Sequence, residues 1–140
     1  MKSDFTLDPQ LAADTIPIGN LNLCQVQLMN DSRFPWLTLV PRRSGLAEII
    51  DLAAADRAQL MDEMALTSAA LKSLTGAQKL NVGALGNIVR QLHVHIVARF
   101  ASDAAWPGPV WGFGQRIAYS TGETEDLIAR LRPLLGTLRA

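Results

Sequence analysis

Cysteine occurs once in these 140 residues, at Cys24, and histidine only twice, at His93 and His95. A single thiol excludes an internal disulfide and any zinc site built from several cysteines, and it fits a reducing compartment. Charge is sparse as well. The 13 basic residues are balanced by 13 acidic ones, so no net positive field exists and nucleic acid is not an expected partner. No stretch is long and apolar enough to span a bilayer, and the opening MKSDFTLDPQLAADT places acidic residues where a signal peptide needs an uninterrupted apolar run. A cytoplasmic protein with no membrane partner is therefore expected. What is present is apolar material, 49% of the chain, which argues for a packed globular fold rather than disorder. At this length one domain over residues 1–140 is expected, burying roughly two-thirds of its unfolded surface.

The opening dozen residues read as a short helix or arm. IPIGNLNLCQVQLM then alternates, with Leu21, Leu23, Gln25 and Gln27 on one face and Asn22, Cys24, Val26 and Leu28 on the other. This predicts a strand or hairpin turning at Gly19–Asn20. NDSRFP is turn chemistry, and WLTLV is a strand ended by Pro41, Arg42 and Arg43. From about Leu46 to Leu74 the period becomes helical: Leu60, Met64, Leu71 and Leu74 recur, with Met61 and Leu66 beside them. Asp56, Arg57, Asp62, Glu63 and Lys72 supply the solvated side, and Gly76 closes the helix. KLNVGAL opens a further strand, GALGN turns, and VRQLHVHIVARF is the clearest strand of all. ASDAAWPGPVWGFG reads as a packed lid. A last helix runs from Ser120 or Thr121 to the chain end, with Ser120 and Glu123 as a capping box and Pro133 as a kink or stop. Strands, a long helix, more strands and a C-terminal helix predict an α+β fold with a mainly antiparallel sheet.

Both histidines fall within RQLHVHIVARF. In a strand Leu92, Val94 and Ile96 share one face and Gln91, His93 and His95 the other, at a repeat of about 7 Å. A wetted face of an antiparallel sheet is one reading of that polar row. Metal binding is a second, although only Cys24 and scattered carboxylates remain as further ligands. The third is covalent catalysis. A neutral imidazole attacks phosphorus while a carbonyl holds its second N–H, and the neighbouring imidazole donates to the leaving oxygen or stabilises the phosphoryl charge.

GNIVRQLHVHIVARF resembles the signature of the histidine-triad (HIT) nucleotide hydrolases and transferases, His-φ-His-φ-His-φ-φ with φ apolar. The version here is Gln91-Leu92-His93-Val94-His95-Ile96-Val97. The resemblance implies that His93 is the nucleophile, that His95 contacts the scissile phosphate, and that Gln91 stands where the family has its first histidine. In the family the main-chain carbonyl at that position orients the attacking ring, a role that survives a change of side chain. Upstream, VQLMNDSRFPWLTLVPRR and LNVGALGN resemble further parts of the family. They imply that Asn30 or Asp31 meets the ribose, and that Asn81 and Asn87 approach the phosphates with Gly86 opening a small anion-binding nest. Two departures stand beside these. Ile88 occupies a position where relatives often carry a hydroxyl, and Trp36 one where they often place another histidine. Trp36 and Gln91 together suggest one altered pair behind the motif.

The resemblance implies a HIT-like fold and hydrolysis or nucleotidyl transfer through a phosphohistidine, with a nucleotide or nucleotide conjugate as substrate. It implies no cofactor, no metal in the site, and a homodimer whose sheets join edge to edge. Two other functions stay open: a nucleotide-binding module with little catalysis, motivated by Gln91 and Ile88, and a metal-binding structural protein. Asn30, Asp31 and Asn81 also suit turns for backbone reasons alone, Trp106 and Trp111 suit packing as well as purine stacking, and Arg90 and Arg99 either raise the local potential or face water.

Overall fold

The computed structural model of the protein describes residues 4–136 and 138. Five strands form one antiparallel sheet: β1 (Thr15–Asn20), β2 (Cys24–Met29), β3 (Trp36–Pro41), β4 (Lys79–Gly83) and β5 (Val94–Arg99), in the order β1-β2-β3-β5-β4. Three helices join them, α1 (Pro9–Asp14), α2 (Ala54–Thr75) and α3 (Thr121–Leu131). The fold is α+β, with every strand pair antiparallel.

Alternation assigns the two sheet faces. Leu37 and Leu39 of β3 and Val94, Ile96 and Ala98 of β5 belong to the larger core with Leu60, Leu71, Ile128 and Leu131 of α2 and α3. The intervening Trp36 and Val97 point the other way, into a smaller core with Phe34, Ala105 and Val110. Helices α2 and α3 thus cover one face, and the Trp/Pro-rich loop covers part of the other.

The hairpin turns later than expected. Gly19 and Asn20 lie within β1, which carries an irregularity between Pro17 and Gly19, and the Leu21 N–H bonds the Cys24 carbonyl at 2.8 Å. The turn is pinned from outside by Glu63 of α2, whose carboxylate accepts the N–H of Leu23 and of Cys24, each at 2.8 Å. Glu63 is therefore buried, correcting its assignment to the solvated side, while Met61 and Leu66 are exposed. The long helix also starts later, at Ala54, because a separate 3₁₀ turn at Ile49–Asp51 forms first. Its end is as expected: Gly76 takes the left-handed conformation at φ 70° and donates to the Lys72 carbonyl. The Ser120–Glu123 capping box opens α3, and a 3₁₀ turn through Pro133 replaces α-helix from Arg132. Part of the expected run to the chain end lies outside the described residues.

The clearest predicted strand is shorter than its pattern. β5 begins only at Val94, and Leu92 instead donates to the Leu46 carbonyl at 3.0 Å. His93 therefore sits at the lip of the sheet and His95 inside it.

Candidate active site

His93 and His95 project to the same side, their ring centroids 4.8 Å apart at 75°, and both are 6% exposed. Each ring is oriented by its Nδ1, but in opposite senses. His93 Nδ1 lies 2.7 Å from the main-chain carbonyl of Gln91. A carbonyl only accepts, so Nδ1 carries the hydrogen and Nε2 of the neutral ring carries the lone pair. His95 Nδ1 lies 3.0 Å from the indole Nε1 of Trp36. An indole N–H only donates, so the lone pair is on Nδ1 and the hydrogen on Nε2. The pair thus presents one nucleophilic nitrogen and one N–H donor, side by side.

An aromatic box surrounds His95. Trp36 meets it edge to face at 5.5 Å, Trp111 at 5.7 Å, and the two indoles meet each other at 6.2 Å. Burial, with the neighbouring His93 adding to it, holds the His95 pKa down at about 3, so the ring is neutral. Gly83 stands opposite His95 on β4, and a Cβ there would come within 3.4 Å of the Trp111 ring.

A cleft of about 580 Å³ opens over these rings. Its walls are Trp36, Trp111, Met29, the segment Leu85–Val89, and α1 through Gln10, Leu11 and Asp14. Gly86, at φ 70°, turns the 85–89 segment so that it lies over the histidines. Of the residues expected at the site, His93, His95, Gly86 and Asn87 come together here.

The others do not, and the contacts give the reason. Asn30 accepts the Tyr119 N–H at 2.9 Å. Asp31 is buried and holds the Arg33 guanidinium through both carboxylate oxygens, at 2.9 and 2.8 Å. Burial opposes ionisation of Asp31, yet the bonds from Arg33 prevail and keep its carboxyl below the ordinary value. Arg33 in turn donates to the Phe113 carbonyl at 2.7 Å, and the Ser32 N–H to the Ile117 carbonyl at 2.6 Å. This turn anchors the loop that follows Trp111, and Asp31 lines only a smaller neighbouring cleft of about 220 Å³. Asn81 accepts from Arg99 at 2.7 Å, on β4 away from the histidines. Arg99 itself is 1% exposed rather than facing water. It pairs with Asp103 at 2.8 Å, donates to the Gly108 carbonyl, and packs over Phe34 and Trp106.

The Gln91 side chain also leaves the site. Its Oε1 accepts the Asp8 N–H at 2.8 Å and its Nε2 donates to the Thr6 carbonyl at 2.9 Å. It straps the N-terminal arm while its backbone carbonyl serves His93. Gln91 and Trp36 are therefore not one altered pair: the first ties α1 to the site and the second bonds His95. Of the cleft residues, Gln10, Leu11, Asp14 and Met29 carry no signal in the sequence. Among the described residues no group of three or more histidines, cysteines and carboxylates is placed to hold a metal ion, and no helix is long and apolar enough to cross a membrane.

The family model described as the HIT domain matches residues 10–102. Among solved structures, a histidine triad protein from Sinorhizobium meliloti 1021 is 53% identical, with 93% of this chain and 96% of that one covered and a TM-score of 0.91. One from Bradyrhizobium japonicum is 50% identical, covering 94% and 98% at 0.92, and one from Marinobacter aquaeolei VT8 is 45% identical, covering 96% and 98% at 0.93. No curated protein sequence matches the chain. A family match over most of the length, a shared fold, and two histidine rings held side by side at the start of β5 lead to one conclusion: the chain belongs to the HIT family.

Proposed function

We propose that the protein is a HIT-type nucleotide hydrolase or nucleotidyl transferase with His93 as nucleophile. The observation that carries this reading is the 2.7 Å bond from His93 Nδ1 to the Gln91 carbonyl, which leaves the Nε2 lone pair free. In the first step Nε2 attacks the α-phosphorus of a nucleotide conjugate. The P–N bond forms as the bond to the leaving group breaks, and that group departs with the electron pair. The positive charge on the substituted ring is stabilised through Nδ1–H by the same carbonyl. In the second step water attacks phosphorus and loses a proton to solvent, and the P–N bond breaks to restore His93. His95 donates from Nε2 to a phosphoryl oxygen as charge builds there. Gly86 and Asn87 lie over the same cleft, where backbone N–H groups supply further donors to an anion.

The cleft volume suits a nucleoside-sized ligand, and Met29, Trp36 and Trp111 give it apolar and aromatic walls. The chain acts as a homodimer in this reading. β4 is an edge strand with Val82 exposed, a surface that pairing with a second copy would cover. Light scattering on the purified protein tests that point.

The function is tested by trapping. Denaturing the protein in mid-turnover on an α-³²P-labelled AMP ester is expected to leave acid-labile label on His93, and none in His93→Ala. The variant is expected to lose at least about 10³-fold in kcat, since removing a nucleophile removes the step itself. Unchanged turnover in His93→Ala would end the assignment of His93 as nucleophile, and nucleotide binding without turnover in the wild type would leave a nucleotide-binding module.

A further inference from the structure

A phosphoryl-transfer site needs something to deal with the leaving group. An amine displaced from phosphorus must collect a proton to depart, whereas a phenolate, carboxylate or phosphate departs as an anion. The cleft offers few candidates for that proton. Ile88, the residue after Asn87, is 94% exposed and carries no hydroxyl. Gln10 and Asn87 are amides. The titratable groups facing His95 across the cleft are His93, assigned as nucleophile, and Asp14. The Asp14 carboxylate already accepts from Gln10 Nε2 at 2.9 Å and from Arg116 at 3.2 Å.

That leaves His95, and Trp36 decides its capacity. With Nδ1 accepting the indole N–H at 3.0 Å, a proton released from Nε2 would leave a buried imidazolate, because Trp36 has no proton acceptor with which to relay charge. The cation that would serve as an acid is disfavoured twice. Its Nδ1–H would face the indole N–H, and its charge would be enclosed by Trp36, Trp111 and His93.

We propose that Trp36 fixes His95 as a hydrogen-bond donor that cannot release its proton, and that the site therefore takes nucleotide conjugates whose leaving group departs as an oxyanion in preference to alkyl amines. Trp36 is a positioning residue acting through His95. The selectivity rests on the hydrolase reading of His93; the tautomer does not. In the favoured reaction the P–O bond breaks with its electron pair going to oxygen, the P–Nε2 bond to His93 forms, and no proton moves. With an amine, the same step needs a proton that no described group of the cleft supplies.

Two measurements on the full chain test this separately. Long-range ¹⁵N–¹H spectra of the wild type read the tautomer directly. His95 is expected to show an unprotonated Nδ1 coupled to the Trp36 indole and a protonated Nε2, unchanged from pH 7 down to about pH 5. In Trp36→Phe, which keeps an aromatic ring and the burial but removes the N–H, His95 is expected to populate the Nδ1–H tautomer as well. A protonated Nδ1 in the wild type, or the same single tautomer in Trp36→Phe, overturns the lock.

The second measurement compares kcat/KM for the 4-nitrophenyl ester of AMP and for the n-propylamide of AMP. The amide is expected to be cleaved at least about 100-fold more slowly, the contribution a positioned acid ordinarily makes. Trp36→His places a titratable ring against His95 Nδ1 and is expected to narrow that ratio about tenfold, whereas damage to the fold would lower both rates together. Equal rates on the two substrates in the wild type overturn the selectivity. Cleavage of neither substrate removes the hydrolase reading and the selectivity with it, while the spectra still decide the lock.

Discussion

The Gln91 carbonyl and the His93 imidazole stand 2.7 Å apart, two residues from each other in the chain, while the Gln91 side chain reaches more than 80 residues back to the N-terminal arm. One residue thus performs two separable tasks. The backbone carbonyl depends on the path of the chain, which Leu92 fixes by bonding the Leu46 carbonyl. The side chain fixes α1, which lines the cleft through Gln10, Leu11 and Asp14.

Gln91→Ala separates those tasks. It keeps the carbonyl and removes the two bonds to Thr6 and Asp8. We expect KM to rise several-fold as α1 loosens, a smaller change in kcat, and a loss of about 1–2 kcal/mol in urea unfolding. A fall in kcat at constant KM would place the side chain in the chemistry after all.

Acid should weaken the fold through His95. Its native pKa, about 3, is below the ordinary 6.5, so between those values the unfolded chain binds a proton that the native state refuses. Stability is then full above about pH 6.5 and declines as pH falls, at up to about 1.4 kcal/mol per pH unit. Asp31 and Asp103 are both held below the ordinary 3.8, Asp103 at about 2 by its bond from Arg99, so their losses come at lower pH. Urea titrations between pH 6.5 and 4.5, above the range of those two carboxylates, should therefore carry the His95 contribution. His95→Gln is expected to flatten that slope, and an equal slope in the variant would refute the assignment.

How much of this was legible in the sequence depended on how far each contact reaches. The period of two around His93 and His95 is local, and it placed both rings on one side. The caps at Gly76 and Ser120 are local too, and both formed where the residues pointed. Glu63 misled because a charged residue on a helix reads as solvated, and its partners Leu23 and Cys24 lie 40 and 39 residues away. Arg99 misled similarly, its burial depending on a loop that folds back over it through Asp103 and Gly108. Asn30 and Asp31 carry the composition of a ligand-binding turn, yet they bond Tyr119 and Ile117, 89 and 86 residues on. No periodicity records such pairings.

The Arg99–Asp103 pair should govern whether the tryptophan loop stays in place. Asp103 accepts both Arg99 Nε and the N–H groups of Phe100, Ala105 and Trp106, so it organises the turn as well as the charge. Asp103→Ala leaves a buried guanidinium without its counter-charge, and about 3 kcal/mol or more should be lost. Because this loop carries Trp111 to His95, near-ultraviolet circular dichroism should change and turnover should fall with it. An unfolding midpoint within error of the wild type would show that the pair is dispensable.

Glu63 offers the last test, and Cys24 is its reporter. The thiol is the only one in the chain, is buried, and is pushed well above the usual range first by burial and then by the Glu63 charge beside it. It should therefore be alkylated only when the β1–β2 turn opens. Glu63→Ala removes the acceptor for two buried N–H groups, those of Leu23 and Cys24, at an expected cost of about 2–4 kcal/mol. Where opening is in fast equilibrium, each 1.4 kcal/mol is tenfold in the open population, so native-state alkylation of Cys24 should accelerate by roughly 10- to 10³-fold. Two effects act on the thiol in the variant, but losing the carboxylate lowers a pKa that burial still dominates, so opening sets the rate. Labelling at the wild-type rate, with unfolding unchanged in urea, would show that the hairpin holds its turn without the helix.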